Sequence, residues 1–227
     1  MSEKGKMSGI MNNLKIWADP IGRPQRLAEL GLTEKIISDA VQSGHAAWAN
    51  CTENHPALLR GIVSWGTPMF SLREDLIPLG WERVEDHNLP LVLNPDGSLA
   101  ITIATGDENT GIEEKNPSTK STKGPHTISS IVNNQLVLFG EIGKPVESGQ
   151  VKNRVTWILL FHRDTKKSEV RFELSLPSKI NGEGYVDEWS ERIIFTAHPF
   201  EGSTVKITED LPQSPNINID VKRRRSG

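Results

Sequence analysis

The chain has 227 residues, with 26 Lys plus Arg against 29 Asp plus Glu, 36% hydrophobic residues and a single cysteine. That length can bury a real core, while one cysteine excludes an intramolecular disulfide framework and any multi-cysteine zinc site. The net charge of −3 gives no global attraction to nucleic acid or anionic lipid, and no stretch approaches the ~20 apolar residues of a membrane span.

The opening MSEKGKMSGIMNNL lacks the apolar run of a secretory signal, so a cytoplasmic location is expected. Residues 1–25 carry Gly5, Gly9, Pro20, Gly22 and Pro24 with no sustained period and read as a flexible arm. A single domain then spans 26–222, ahead of a basic tail at 223–227. Ile36, Ile37, Ala40, Val41, Gly44 and Trp48 follow helical spacing, with Thr33 as N-cap. Pro56 suits a first helical position, and Leu58, Leu59, Ile62 and Val63 form a second apolar stripe. Thr67-Pro68 is expected to restart a third short helix carrying Met69, Leu72 and Leu76.

From Trp81 the period shifts towards strands. Asn94-Pro95-Asp96-Gly97 is a turn signal between Pro90–Val92 and the alternating Leu99, Ile101 and Ile103, which predicts a hairpin. A second hairpin is expected from the apolar run Val155 to Phe161 and the alternation of Val170, Phe172, Leu174 and Leu176 with Arg171, Glu173 and Ser175. It would have one face on a core and the other wet. Arg192 to Ala197 and Ile217 to Lys222 read as further strands. The fold class is therefore α+β, an N-terminal helical layer packed on an antiparallel β-sheet.

Between the hairpins, Gly106 to Thr127 contains almost no apolar residue. Loops of this length are uncommon in compact domains unless functional or disordered. Gly143 to Lys152 is a second polar stretch, so residues 128–152 read as a segment held between polar tethers. Within it, Gln135-Leu136-Val137-Leu138-Phe139 resembles the pentapeptide by which many bacterial replication and repair proteins bind the β sliding clamp. That motif is Gln-Leu, a small or acidic residue, then Leu-Phe; four of the five positions match, and Val137 departs at the most tolerant one. The resemblance implies that Gln135 hydrogen-bonds at a pocket rim, that Leu136 fills one small apolar subsite, and that Leu138 and Phe139 fill a deeper one. A linear motif of this kind gives weak, exchangeable binding. The competing reading is a buried strand with Gln135 as an exposed neighbour.

Other chemistries fit less well. His45, Cys51 and His55 lie close in sequence but lack a clear fourth ligand, and read as an ordinary helix–loop–helix junction. Asp96 belongs to a turn and is not followed by the Glu-x-Lys of metal-dependent nucleases. Glu113, Glu114 and Lys115 lie in the polar loop, where no strand fixes them. Ser118 to Gly124 has phosphate-loop residue types in the wrong order, and Gly140-x-x-Gly143-Lys144 is followed by Pro145, so nucleotide hydrolysis is rejected and no cofactor is assigned. The tail Lys222, Arg223, Arg224 and Arg225 is the dense basic cluster, suited either to DNA backbone or to solubility. The six tryptophans read as core or interface anchors. The motif resemblance implies a bacterial, replication-associated interaction protein whose partner is the β sliding clamp, and the chain as a whole is loosely similar to uncharacterised plasmid and prophage proteins, which implies a mobile-element origin. The alternatives are a metal-dependent DNA-acting enzyme using Asp96 or Asp107, and a homodimeric module.

Overall fold

The computed structural model describes residues 14–87, 89–138 and 154–200. The helical layer comprises α1 (Gly22–Glu29), α2 (Glu34–Ala49) and α3 (Ala57–Leu76), followed by a 3₁₀ turn at Ile77–Leu79. Thr33 caps α2 as expected, its side chain accepting a hydrogen bond of 3.3 Å from the Ile36 N–H. The second and third helices expected from the sequence are one, because α3 runs unbroken through Pro68. Proline removes one helical hydrogen bond. Here its ring seats directly on α2: a Cβ added at Gly44 would lie 2.3 Å from Pro68 Cγ. Glycine on one helix and a proline ring on the other give a close crossing whose packing offsets the missing bond.

The sheet runs in the order β1-β7-β6-β5-β4-β3-β2. Its strands are β1 (Lys15–Trp17), β2 (Glu82–Asp86), β3 (Leu89–Leu93), β4 (Leu99–Thr105), β5 (Val155–Asp164), β6 (Glu169–Ile180) and β7 (Val186–Ile194); β8 (His198–Pro199) pairs with β6. Both hairpins are present. Asn94 and Gly97 close the first, with Gly97 at φ +71° and its N–H on the Asn94 carbonyl at 2.9 Å. The second pairs Ile158 to Asp164 with Glu169 to Ser175.

The fold is α+β, with a mixed sheet rather than a wholly antiparallel one. β1 runs parallel to β7, and β4 runs parallel to β5 from Leu99↔Val155 to Thr105↔Phe161. Parallel neighbours cannot be joined by a tight turn and need a crossover. Residues 106–154 are that crossover, and α4 (Pro125–Leu138) lies within it. Part of the expected arm also belongs to the domain. β1 joins the sheet edge, Leu27 of α1 is fully buried, and the carboxylate of Glu191 on β7 receives both Trp17 Nε1 at 2.7 Å and the Arg26 guanidinium. A three-residue strand and an eight-residue helix are too short for their periodicity to stand out. Residues 1–13, the expected strand at 217–222 and the tail 223–227 lie outside the described residues.

One face of the sheet packs under α1–α3, where Leu27, Ile37, Leu72, Leu76, Ile101, Leu159, Phe172, Leu174 and Ile193 are fully buried. The other face carries a smaller apolar cluster, in which Ile131 of α4 meets Ala104, Ile158, Leu160, Val186 and Trp189. β5 is thus covered on both sides, which explains its unbroken apolar run. Of the six tryptophans, Trp81, Trp157 and Trp189 are buried, and Trp65 is among the exposed large hydrophobic residues. Among the described residues, no helix is long and apolar enough to cross a membrane.

Candidate functional site

The polar face of β6, expected to be wet, is buried. Glu173 and Arg192 pair at 2.6 Å with side-chain exposures of 0% and 1%. Glu173 also accepts from Ser175 Oγ at 2.7 Å and from the Gly111 N–H at 2.9 Å. Arg192 donates to the carbonyls of Lys115 and Ile112, while Arg171 donates to those of Thr110 and Glu108. The loop from Gly106 therefore lies against the sheet, held by its own backbone. Gly111 is where the chain comes closest: its φ is +71° and an added Cβ would meet Arg171 Cβ at 2.9 Å. Glycine tolerates both conditions. Every charge in this network has partners, as a buried ion pair requires.

The loop leads into α4, whose side chains reach the sheet at Ile131 and Asn134. The Asn134 amide donates to the Thr156 carbonyl at 2.9 Å, and its oxygen accepts from the Thr156 N–H at 2.7 Å. A central strand N–H and C=O are thus satisfied by one side chain, which is fully buried. Gln135, Leu136 and Leu138 follow immediately, in the last turn of the helix. Their backbone is helical, so the competing reading of a core strand is excluded for those positions. Phe139 and the basic residues Lys222, Arg223, Arg224 and Arg225 lie outside the described residues.

The remaining candidates do not converge. The Cys51 thiol donates to the Ala47 carbonyl at 3.4 Å, and His55 Nδ1 accepts from the Thr52 N–H at 3.0 Å. His45 stacks on Phe200 with ring centroids 4.4 Å apart. Burial lowers its pKa, and the nearby Arg163 charge adds to the effect. Asp96 accepts from the Ser98 N–H at 2.8 Å and Asp107 from the Asn109 N–H at 3.1 Å, so each carboxylate serves its own turn.

Concavities also lie among the described residues. A cleft of about 840 Å³ lies at one end of the sheet between Trp81, Trp157, Asp96 and the Arg26–Glu191 pair. A second, of about 200 Å³, opens where β3 and β4 part. Those strands pair only at Val92↔Ile101 and Leu93↔Ala100. Beyond them Pro90 has no N–H to offer, and Trp65 Nε1 donates to the Ile103 carbonyl at 3.2 Å. Lys123 lines this slot with Trp65, Pro90, Ile103 and Thr127. Burial pushes its amine down to about 8.

Beside the slot, Asp86 at the end of β2, His87 in the following turn and His126 in the first turn of α4 meet. Asp86 Oδ1 lies 2.7 Å from His87 Nδ1 and 3.8 Å from His126 Nδ1. The two imidazoles stack at 3.9 Å between centroids, 4° from parallel. Sequence reasoning missed this cluster because Asp86 and His126 are forty positions apart and only the crossover brings them together. Comparison with protein-family models, with curated proteins and with solved structures finds no match.

Proposed function

We propose that this chain is a binding protein that docks on the bacterial β sliding clamp through Gln135 to Phe139. The observation that carries this reading is the position of the five-residue segment, four of whose positions match the motif. It begins directly after Asn134, whose amide is bonded to β5, and so starts where the hydrogen bonds fixing α4 to the sheet have just been made. The clamp pocket of the resembled family takes a peptide that reaches into two apolar subsites. Binding would therefore unwind the last turn of α4, at a cost of about 1 kcal/mol per helical hydrogen bond lost. That cost fits an exchangeable micromolar contact, for which the net free energy is about −8 kcal/mol.

On this reading the protein works in the cytoplasm and competes with other clamp clients by mass action, without chemistry of its own. A mobile genetic element that redirects host replication is the setting in which such competition is useful. Lys222 to Arg225 would add a salt-sensitive contact with the DNA that threads the clamp. The test is capture of the full chain on immobilised clamp. Leu138→Ala combined with Phe139→Ala should reduce binding by more than about tenfold, because both deep anchors go. Undiminished capture of the double variant overturns the proposal.

A further inference from the structure

We propose that Asp86, His87 and His126 form a binding site for a divalent late first-row transition metal of the Zn²⁺ class, with water completing its coordination. Among the described residues this is the one group of three or more His, Cys, Asp or Glu side chains whose ligand atoms all lie within 4.8 Å of one another. Two imidazole nitrogens and one carboxylate oxygen are a donor set suited to Zn²⁺, Co²⁺, Ni²⁺ or Cu²⁺; Mg²⁺ and Ca²⁺ prefer oxygen alone.

The geometry is close to what such an ion needs. Metal–ligand distances of about 2.0–2.2 Å place tetrahedral donors about 3.4 Å apart. The separations from Asp86 Oδ1, 2.7 and 3.8 Å, lie on either side of that value. Parallel rings direct their lone pairs side by side, so the imidazoles must splay for both nitrogens to meet one ion. His87, with its side chain 72% exposed, is free to turn, whereas Asp86 closes a strand whose register is set by pairing with Leu89. The cluster is thus part fixed and part adjustable.

Three protein ligands leave a position for water, as in metal sites that act on a substrate; purely structural zinc sites fill all four positions from the protein. Gly124 and Thr127, on either side of His126, line the slot that holds Lys123, and Leu89 after the His87 turn lines it too. A metal-bound water would therefore sit next to a small, partly apolar recess with an amine in its wall. The ion would also tie the first turn of α4 to the β2–β3 turn, two elements that meet here through the Asp86 carboxylate and the stacked imidazoles.

The experiment uses the full, untagged chain after chelator treatment. Titration with Co²⁺ is followed by its visible ligand-field bands, and titration with Zn²⁺ by calorimetry. One equivalent should bind with micromolar affinity and raise the melting temperature. His126→Ala and His87→Ala should each weaken binding by more than about tenfold, since even outer-shell changes cost that much. His55→Ala, at an exposed histidine elsewhere, should bind as the parent does. The proposal is overturned by the lack of one-equivalent binding at about 1 mM metal, by binding that survives both cluster variants, or by equal loss in His55→Ala. Should His126→Ala fail to fold without metal, the exposed His87→Ala carries the test alone. The outcome is independent of clamp binding.

Discussion

On one side of β6, Phe172, Leu174 and Leu176 pack beneath α1–α3 among other apolar side chains. On the other side, Arg171, Glu173 and Ser175 are as deeply buried, beneath a loop with almost no aliphatic residue. The first face is held by non-directional burial, which tolerates shape changes better than it tolerates lost volume. The second is held by directed hydrogen bonds, some among the side chains of Arg171, Glu173, Ser175 and Arg192 and five ending on backbone carbonyls or the Gly111 N–H, where one missing partner strands several others. Equal burial on the two faces therefore carries different liabilities.

Substitutions on the two faces separate these liabilities. The largest loss is expected for Glu173→Ala, which leaves the Arg192 charge buried and unpaired and should cost about 3–5 kcal/mol. Urea unfolding measures the total. Hydrogen exchange at Gly111, whose N–H now donates to Glu173, shows whether the loop is released first. Leu174→Ala, one residue along on the apolar face, should cost about 2–5 kcal/mol by leaving a cavity, with the Gly111 amide still protected. A variant pair in which both substitutions release the loop, or neither does, would break the distinction.

The smallest effect concerns pH. His45 sits on the helical side with its pKa below the ordinary 6.5, because burial and the Arg163 charge disfavour the imidazolium. The unfolded chain then takes up the proton more readily than the folded one. Stability from this group is present above about pH 6.5 and is lost as the pH falls from there through the folded value. Thermal unfolding of His45→Gln between about pH 7 and pH 5 should show a shallower decline than the parent.

The helical layer and both hairpins were legible because each rests on local alternation: Thr33 with Ile36, the Asn94–Gly97 turn, and the Val170–Leu176 repeat. What escaped was whatever depends on distant pairing. Gly106 to Thr127 reads only as a long polar loop because hydropathy registers side chains, whereas its first part is fixed through main-chain atoms by Arg171 and Arg192, some sixty to eighty positions away. The parallel pairing of β4 and β5 has no mark in either strand, since both alternate or run apolar whatever the direction of the neighbour. Pro68 reads as a break until Gly44 is seen opposite it. The Asp86–His87–His126 cluster was hidden for the same reason as the loop's role: its members share no segment.

The β4–β5 seam also bears on how the chain acquires its shape. Leu99 meets Val155 only after more than fifty intervening residues have been synthesised, whereas β2–β3–β4 and β5–β6–β7 are each joined by short connections. Closing so long a loop costs entropy before any contact across it is gained. The two groups of strands are therefore expected to pair locally first, with the β4–β5 ladder, the β1–β7 pairing and the helical cover following the long closure. Until it closes, both seam strands are open edges, each an opportunity for pairing with a second copy of the chain.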